Sequence, residues 1–545
     1  MKRIMLCSIL LMLAASGLHA QSEAPCNCYL LDEYYDFDQP LTEDCYHLVG
    51  TVTVPSGYTL TIDPGTRIFA DEDASLVIAQ GAYIIAQGAY NNPIVFTTDQ
   101  SPSSRTPGYW KGITIAGSAV NNLSGDVLTL QRNGGNISGG DNVDTDSSGV
   151  MQYVQILYAG GAASGEEEVN GLTLNSVGSK TILDHIQVGY SASDGFAFLG
   201  GTVDAKYLVA YDNKLNDLTT KYGYRGRVQF GLSVRLDANA HDALGSNGLL
   251  SMNDSTGSSN TPVTRPVFSN MSFIAPGHCE NEPHADLEYA VKFMLNSEAR
   301  IYNSVLSGWN TGFRIENNTT IQNANDNNTL LFDANTFFGN GTDYSHDGSW
   351  SLTGCEVTMA KWLGFGSSSC MTLNQTLGSG LGYDASICDD YCEDPVSFTI
   401  GSTDLDEPYY EFDDLQNEFF TVASYRGAVL ASDWSEDWTD WCPQEKIYCE
   451  PAMRKALQEK SSGFMIMPNP ASGMASILFN AAQAGMSTIT VVDNLGRTVR
   501  TIMHLIHSEG NQSVPLDLKG LQTGVYSVQL RTENGLMHTG KLLVK

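Results

Sequence analysis

From His47 onward the chain alternates apolar and polar positions in short runs. Val52 and Val54 are separated by threonine, Ser56-Gly57 breaks the run, and Leu60 and Ile62 resume the alternation before Asp63-Pro64-Gly65. Apolar runs at 68–69, 76–78, 84–85 and 94–96 follow at similar intervals, punctuated by Gly, Pro, Asn or Asp. A period of two with regular turn punctuation predicts β-strands. The theme continues at 153–158, 171–174, 185–188, 196–198, 207–210, 228–236, 268–274, 290–295 and 300–306. A sandwich and a stacked coil both fit such runs. Their persistence over roughly three hundred residues with little helical periodicity favours the stacked coil, in which each rung buries its inward residues against neighbouring rungs.

The ends of the chain have a different character. Lys2 and Arg3 precede an apolar run from residue 4 to 13, and small residues follow to Ala20. This order predicts a secretory leader over 1–20, too short to span a bilayer, and no other stretch is long and apolar enough to do so. Residues 391–460 are acidic, with Asp404, Asp406, Glu407, Glu411, Asp413, Asp414, Asp433, Glu436, Asp437 and Asp440. They read as a cap and linker, with a short helix expected over 451–462. From 461 to 545, strands are expected at 476–479, 487–492, 525–530 and 537–544. Asn534-Gly535 is a hairpin signal between the last two. Repeated short strands of this kind suit a small immunoglobulin-like β-sandwich. The expected organisation is therefore a leader at 1–20, a cysteine-containing segment at 21–46, a coil at 47–390, the acidic connector at 391–460 and a terminal domain at 461–545.

Charge narrows the choice of partner. The chain has 29 basic and 61 acidic residues, a formal net charge of −32. Such a balance argues against nucleic acid or an anionic membrane and suits cation binding or solubility. Eleven cysteines, of which Cys7 lies in the leader, point to disulfides in an exported chain. Cys26, Cys28 and Cys45 cluster near the mature start, and Cys355/Cys370, Cys388/Cys392 and Cys442/Cys449 are local couples. Spacing does not fix their connectivity, and no zinc-type CxxC pair is present.

Two resemblances emerge from motifs. The stretch from Gly57 to Thr66, the phrase Asn92-Pro93-Ile94-Val95-Phe96-Thr97 and Tyr109-Trp110-Lys111-Gly112-Ile113 resemble a large group of secreted bacterial proteins. So do Asp194-Gly195-Phe196, Gly200-Gly201-Thr202-Val203, and Arg426-Gly427-Ala428 followed by Trp434 and Trp438. The resemblance covers roughly residues 48–442 and implies a right-handed parallel β-helix, not a reaction. The chain departs from the group at Asp212-Asn213-Lys214-Leu215-Asn216-Asp217, where members carry paired aspartates. In the terminal domain, Pro468-Asn469-Pro470, Asp493…Gly496-Arg497, Leu521…Gly524-Val525-Tyr526 and Lys541…Lys545 are similar to the type IX secretion sorting domain of Bacteroidetes. That resemblance implies passage through the type IX machinery. It also implies release, or attachment to surface polysaccharide, with the domain usually removed.

Candidate chemistry is sparse. Asp141, Asp144 and Asp146 alternate in a glycine-bounded loop and offer hard oxygen ligands for calcium, the one candidate cofactor. The competing reading is a solvated turn. Arg225, Arg227 and Arg235 form a candidate patch for the carboxylates or sulfates of an acidic polysaccharide, through forked hydrogen bonds. The competing reading is pairing with local aspartates such as Asp237. His278, Cys279, His284 and Asp286 gather metal donors, without a spacing that sets geometry. Trp434, Trp438 and Trp441 would share a helix face, either to stack on sugars or to cap an open end of the coil. No G-x-S-x-G, H-E-x-x-H or Rossmann glycine pattern occurs, and Gly535–Lys541 lacks the Ser/Thr and helix of a P-loop. The expectation is a secreted or cell-surface β-helix, non-catalytic, that binds glycan or matrix or serves as a structural component. The alternative is a β-helix polysaccharide lyase or glycoside hydrolase.

Overall fold

In the computed structural model the chain is described over residues 28–448 and 464–545, apart from 34, 133–134, 162–165, 236–240, 244, 280–282, 351–357, 366–371, 379, 384–396, 403, 430–432, 468–470, 472, 482–484, 494–496, 507–509 and 533–536. It divides into two compact units, residues 1–446 and 447–545. The leader and the expected helix at 451–462 lie outside the described residues.

The first unit is a parallel β-helix. Its parallel ladder starts at Tyr29–Leu31, earlier than the alternation at His47 suggests, where the Cys28–Cys45 disulfide ties the first strand to the second, Cys45–Leu48. It ends at Gln375–Thr376. Two long sheets form its walls. In the second sheet, Val52, Leu76, Ile113, Leu172, Phe196, Leu218, Leu249, Val291 and Phe313 pair in register, rung over rung, and all are buried. This file is the inward half of the alternation read from the sequence, and burying it drives the stacking.

The first sheet bends. Its strands Gly149–Leu157, Ile182–Gly189, Asp204–Tyr211, Arg227–Val234 and Val267–Ile274 each contain one non-glycine residue in the left-handed region: Tyr153, His185, Tyr207, Phe230 and Asn270. Asn303 and Ala334 continue the file, at breaks between short strands. A non-glycine residue there costs on the order of 1–3 kcal/mol, so seven such bends persist only because stacking over-determines them. The bend turns four of these rings outward onto one another. Tyr153 and Tyr207 each stack on His185 with centroids 4.4 Å apart, and Phe230 stacks on Tyr207 at 5.1 Å.

The acidic connector does not cap an end of the coil. It runs back along the bend as a strap. Asn303 donates to Tyr409 O, Gln229 to Thr421 O, Asn270 to Tyr425 O, Gln155 to Trp438 O and Gln187 to Asp440 O. Arg300 pairs with Asp414 at 2.5 Å, and Arg105 reaches Lys446 O at 2.8 Å. The tryptophans occupy turns, not a helix. Trp438 meets Tyr153 and His185 edge-on, Trp434 meets His185 and Tyr207, and Trp441 packs on Tyr211. Rungs continue on both sides of this contact, so the indoles seal a flank. A short helix, Asn318–Asn325, interrupts the β-structure, and a single helical turn follows at Met359–Trp362.

The second unit is an antiparallel two-sheet sandwich around Ile477, Phe479, Ile489, Val491, Leu516, Val528, Leu530 and Leu542. Its last hairpin, Gly524–Thr532 with Met537–Val544, flanks the predicted Asn534-Gly535 turn, which lies outside the described residues.

Candidate functional site

The arginines expected to hold an acidic glycan are already engaged. Arg235 is fully buried, and its Nε lies 3.0 Å from both oxygens of Asp217, itself fully buried. Arg227 grips Asp204 through its backbone N–H at 2.8 Å and its guanidinium at 2.5 and 2.9 Å. Arg225 makes a forked contact with Asp144 at 3.1 and 3.3 Å. In so acidic a chain nearby carboxylates claim each guanidinium; the expected partner Asp237 lies outside the described residues.

In the candidate calcium loop two of the three carboxylates make structural hydrogen bonds. Asp146 accepts from Ser118 N at 2.9 Å, and Asp144 accepts from Val120 N at 3.2 Å as well as from Arg225, while Asp141 is exposed. The backbone amides and Arg225 draw Asp144 and Asp146 onto neighbouring segments. His278 turns to Ala275 O at 2.9 Å, and burial lowers its pKa. His284 and Asp286 sit at the entry of the strand Leu287–Met294, and nothing is described of the Cys279 side chain. Of the sorting-signal residues, Pro468, Asn469, Pro470 and Gly496 lie outside the described residues. Arg497 donates to Asp493 through N–H and Nε at 2.9 and 2.8 Å. Gly524 and Tyr526 lie on one strand and Lys541 on its partner, with Lys545 closing the chain.

The chemistry that the sequence did not reveal gathers on the outer face of the second sheet, in two clefts. The smaller, about 310 Å³, is floored by Thr51, Thr53, Ser75, Val77 and Thr114. Lys111 crosses it, 2.8 Å from Asp73 and 3.6 Å from Glu166. Arg132 donates to Gln131 O, Glu167 O and Glu168 O, and burial lowers its pKa.

The larger cleft, about 390 Å³, draws on successive rungs. Asp194 accepts from the backbone and side-chain amides of Asn216 at 3.0 and 2.7 Å, and Asn216 Oδ1 accepts from Asn247 Nδ2 at 2.8 Å. Asn247 Oδ1 is shielded and lacks a hydrogen-bond partner among the described residues. Lys221 contacts Glu168 at 2.7 Å. Burial raises the pKa of Asp194, against the opposing charge of Lys221. Burial alone would lower Lys221, but Glu168 and Asp194 outweigh it and hold the ammonium above its ordinary value. Parallel rungs align such residues without any sequence period, because the turns between strands differ in length.

The pectate-lyase-like β-helix domain matches residues 35–360. The chain belongs to that family. The secretion system C-terminal sorting domain matches residues 465–545, so this β-helix protein carries a type IX sorting signal and is exported to the cell surface or the extracellular space. No curated protein matches it. Among solved structures it is similar to full-length tailspike protein 2 from the Escherichia coli O157:H7 bacteriophage CAB120, at 12% identity and a TM-score of 0.24. That comparison covers 92% of this chain, which spans 64% of the tailspike. No helix among the described residues is long and apolar enough to cross a membrane.

Proposed function

We propose that the exported β-helix binds a hydroxyl-rich glycan along the outer face of its second sheet. The observation that carries this reading is the larger cleft, whose wall stacks Asp194, Asn216 and Asn247 from three consecutive rungs beside the Lys221–Glu168 pair. Carboxylate, amide and ammonium groups together supply both donors and acceptors, the set that sugar hydroxyls need. Each lysine in the cleft has a carboxylate partner: Lys292 lies 3.1 Å from Glu316. That pairing favours neutral sugars over a polyuronate, whose carboxylates would compete with Glu168 and Glu316. The strap covers the bend of the first sheet, which favours the second sheet as the binding face.

The test is retention of the full exported chain on arrays of neutral and uronic glycans, followed by calorimetry. Binding to neutral glycans that falls at least about tenfold in Asn247→Ala, a loss of about 1.4 kcal/mol, supports the reading. Binding only to uronates, or binding unaffected by N247A, defeats it.

Hydrolysis is the second reading, and one observation favours it. Asp194 has the raised pKa that suits a carboxyl group for proton donation. Release of reducing ends by the wild type, abolished in Asp194→Asn, would replace binding with turnover.

A further inference from the structure

We infer that His241, His284 and Asp286 form a binding site for a divalent transition-metal ion of the zinc type. The site does not depend on the glycan reading. The strands Ser246–Met252 and Leu287–Met294 are neighbours in the second sheet, with Ser246 opposite Leu287. The turns entering them therefore arrive side by side. One turn carries His241, and the other carries His284 and Asp286. A nitrogen of each ring and a carboxylate oxygen of Asp286 lie within 4.8 Å of one another.

Both rings approach the same oxygen. His241 Nδ1 is 3.3 Å from Asp286 Oδ2, and His284 Nδ1 is 3.5 Å from it. Ligands held at zinc distances in a tetrahedron are about 3.4 Å apart. At 3.3 Å a simple His–Asp pair would make a hydrogen bond. His241 Nδ1 is shielded from solvent and has no hydrogen-bond partner among the described residues. Two imidazole nitrogens and a carboxylate oxygen at this spacing fit a shared ion.

The surroundings hold the turns in place. Asn310, from the following rung, donates to His284 O at 2.8 Å, Leu287 O at 2.9 Å and Ala285 O at 3.3 Å. Ser246 N donates to Asp286 O at 2.7 Å, which ties the two turns together. Asp286 N donates to His284 Nδ1 at 3.2 Å, a bond that must open before that nitrogen takes an ion. The imidazoles stack 3.8 Å apart at 7°. To engage one ion they must tilt toward each other, and His284, the more exposed, has room to do so.

Imidazole nitrogen selects zinc, copper or nickel over calcium and magnesium, which prefer oxygen. Three protein ligands leave one tetrahedral position for water or a ligand. Gly245 and Glu288, which line the larger cleft, belong to the same two segments.

The experiment strips the full-length chain with chelator, adds zinc chloride, removes excess by gel filtration and measures bound zinc and melting temperature. One zinc per chain and a raised melting temperature are expected for the wild type. Both are expected to be lost in H241A and in H284A. The exposed His284 decides the question if H241A folds poorly. H47A serves as the control, because His47, Asp71 and Asp99 form the other His-carboxylate cluster among the described residues. The inference is overturned if the wild type retains no zinc, if H284A retains a full equivalent, if H47A loses it, or if calcium chloride raises the melting temperature equally.

Discussion

Replacing Arg235 with alanine tests the strongest electrostatic claim made for the fold. Arg235 and Asp217 are both fully buried and meet at 3.0 Å. Removing one partner of such a pair leaves an uncompensated charge and costs about 3–5 kcal/mol. Asp217 keeps hydrogen bonds from Ser233 at 2.6 Å and Asn213 at 3.1 Å, which pulls the cost toward the lower end. Leu215 O loses its bond from Arg235 Nη2 at 3.0 Å, which adds about 1 kcal/mol. The expected loss is therefore about 4 kcal/mol near neutral pH. Its pH dependence has a definite sign. Burial raises the folded pKa of Asp217, and Arg235 opposes that shift. An acid raised on folding favours the folded state fully below its unfolded pKa of about 3.9, and that contribution is lost as pH rises through the folded pKa. Deleting Arg235 raises the folded pKa further, so the deficit must shrink between pH 7 and pH 5. Urea unfolding followed by tryptophan fluorescence at both pH values measures it. A loss under about 1 kcal/mol, or one that grows on acidification, refutes the reasoning. The pair D217N/R235M, which removes both charges, should recover a large part of the deficit.

Trp438→Ala removes a fully buried indole from the strap and should cost about 3–5 kcal/mol locally. Limited proteolysis should then cut within 397–446 well before the rungs, and wild-type resistance there would refute the strap's role. Asp146→Ala should lower stability by about 1–3 kcal/mol through the freed Ser118 amide. That loss should be the same with calcium or chelator, and a calcium-dependent difference would restore the ligand role. Deletion of residues 465–545 should hold the protein in the periplasm, as surface immunolabelling and fractionation would report; normal display of the truncated chain would refute the sorting assignment.

The inward files were legible because burial on one face forces alternation. Val52 and Val54 lie on the strand Thr51–Val54, and Leu60 and Ile62 on Thr59–Ile62, both with that burial pattern. The bends were not legible. Tyr153, Tyr207 and Phe230 have no local preference for positive φ, and only the stack holds them there. Nor do the rungs share a period: His185 to Tyr207 is 22 residues, but Phe230 to Asn270 is 40. The strap misled because its tryptophans have helical spacing without a helix. His241 drew no notice because its partners lie one rung away, across a turn whose length nothing local dictates.

The turns explain where chemistry can accumulate. Asp73, Lys111, Glu166, Glu168, Asp194, His241, His284 and Asp286 all lie on segments that leave the first sheet and enter the second. Inward positions are fixed by packing and the bend by the stacked rings beneath the strap. At this edge a rung tolerates insertion without shifting the register of its neighbours. Each insertion then hangs over the second sheet beside the insertion of the next rung. Clefts assembled this way draw on residues far apart in sequence, with stacked parallel strands as their only common frame. A change that slips one rung should therefore damage binding before it damages export, because the sorting sandwich has its own core.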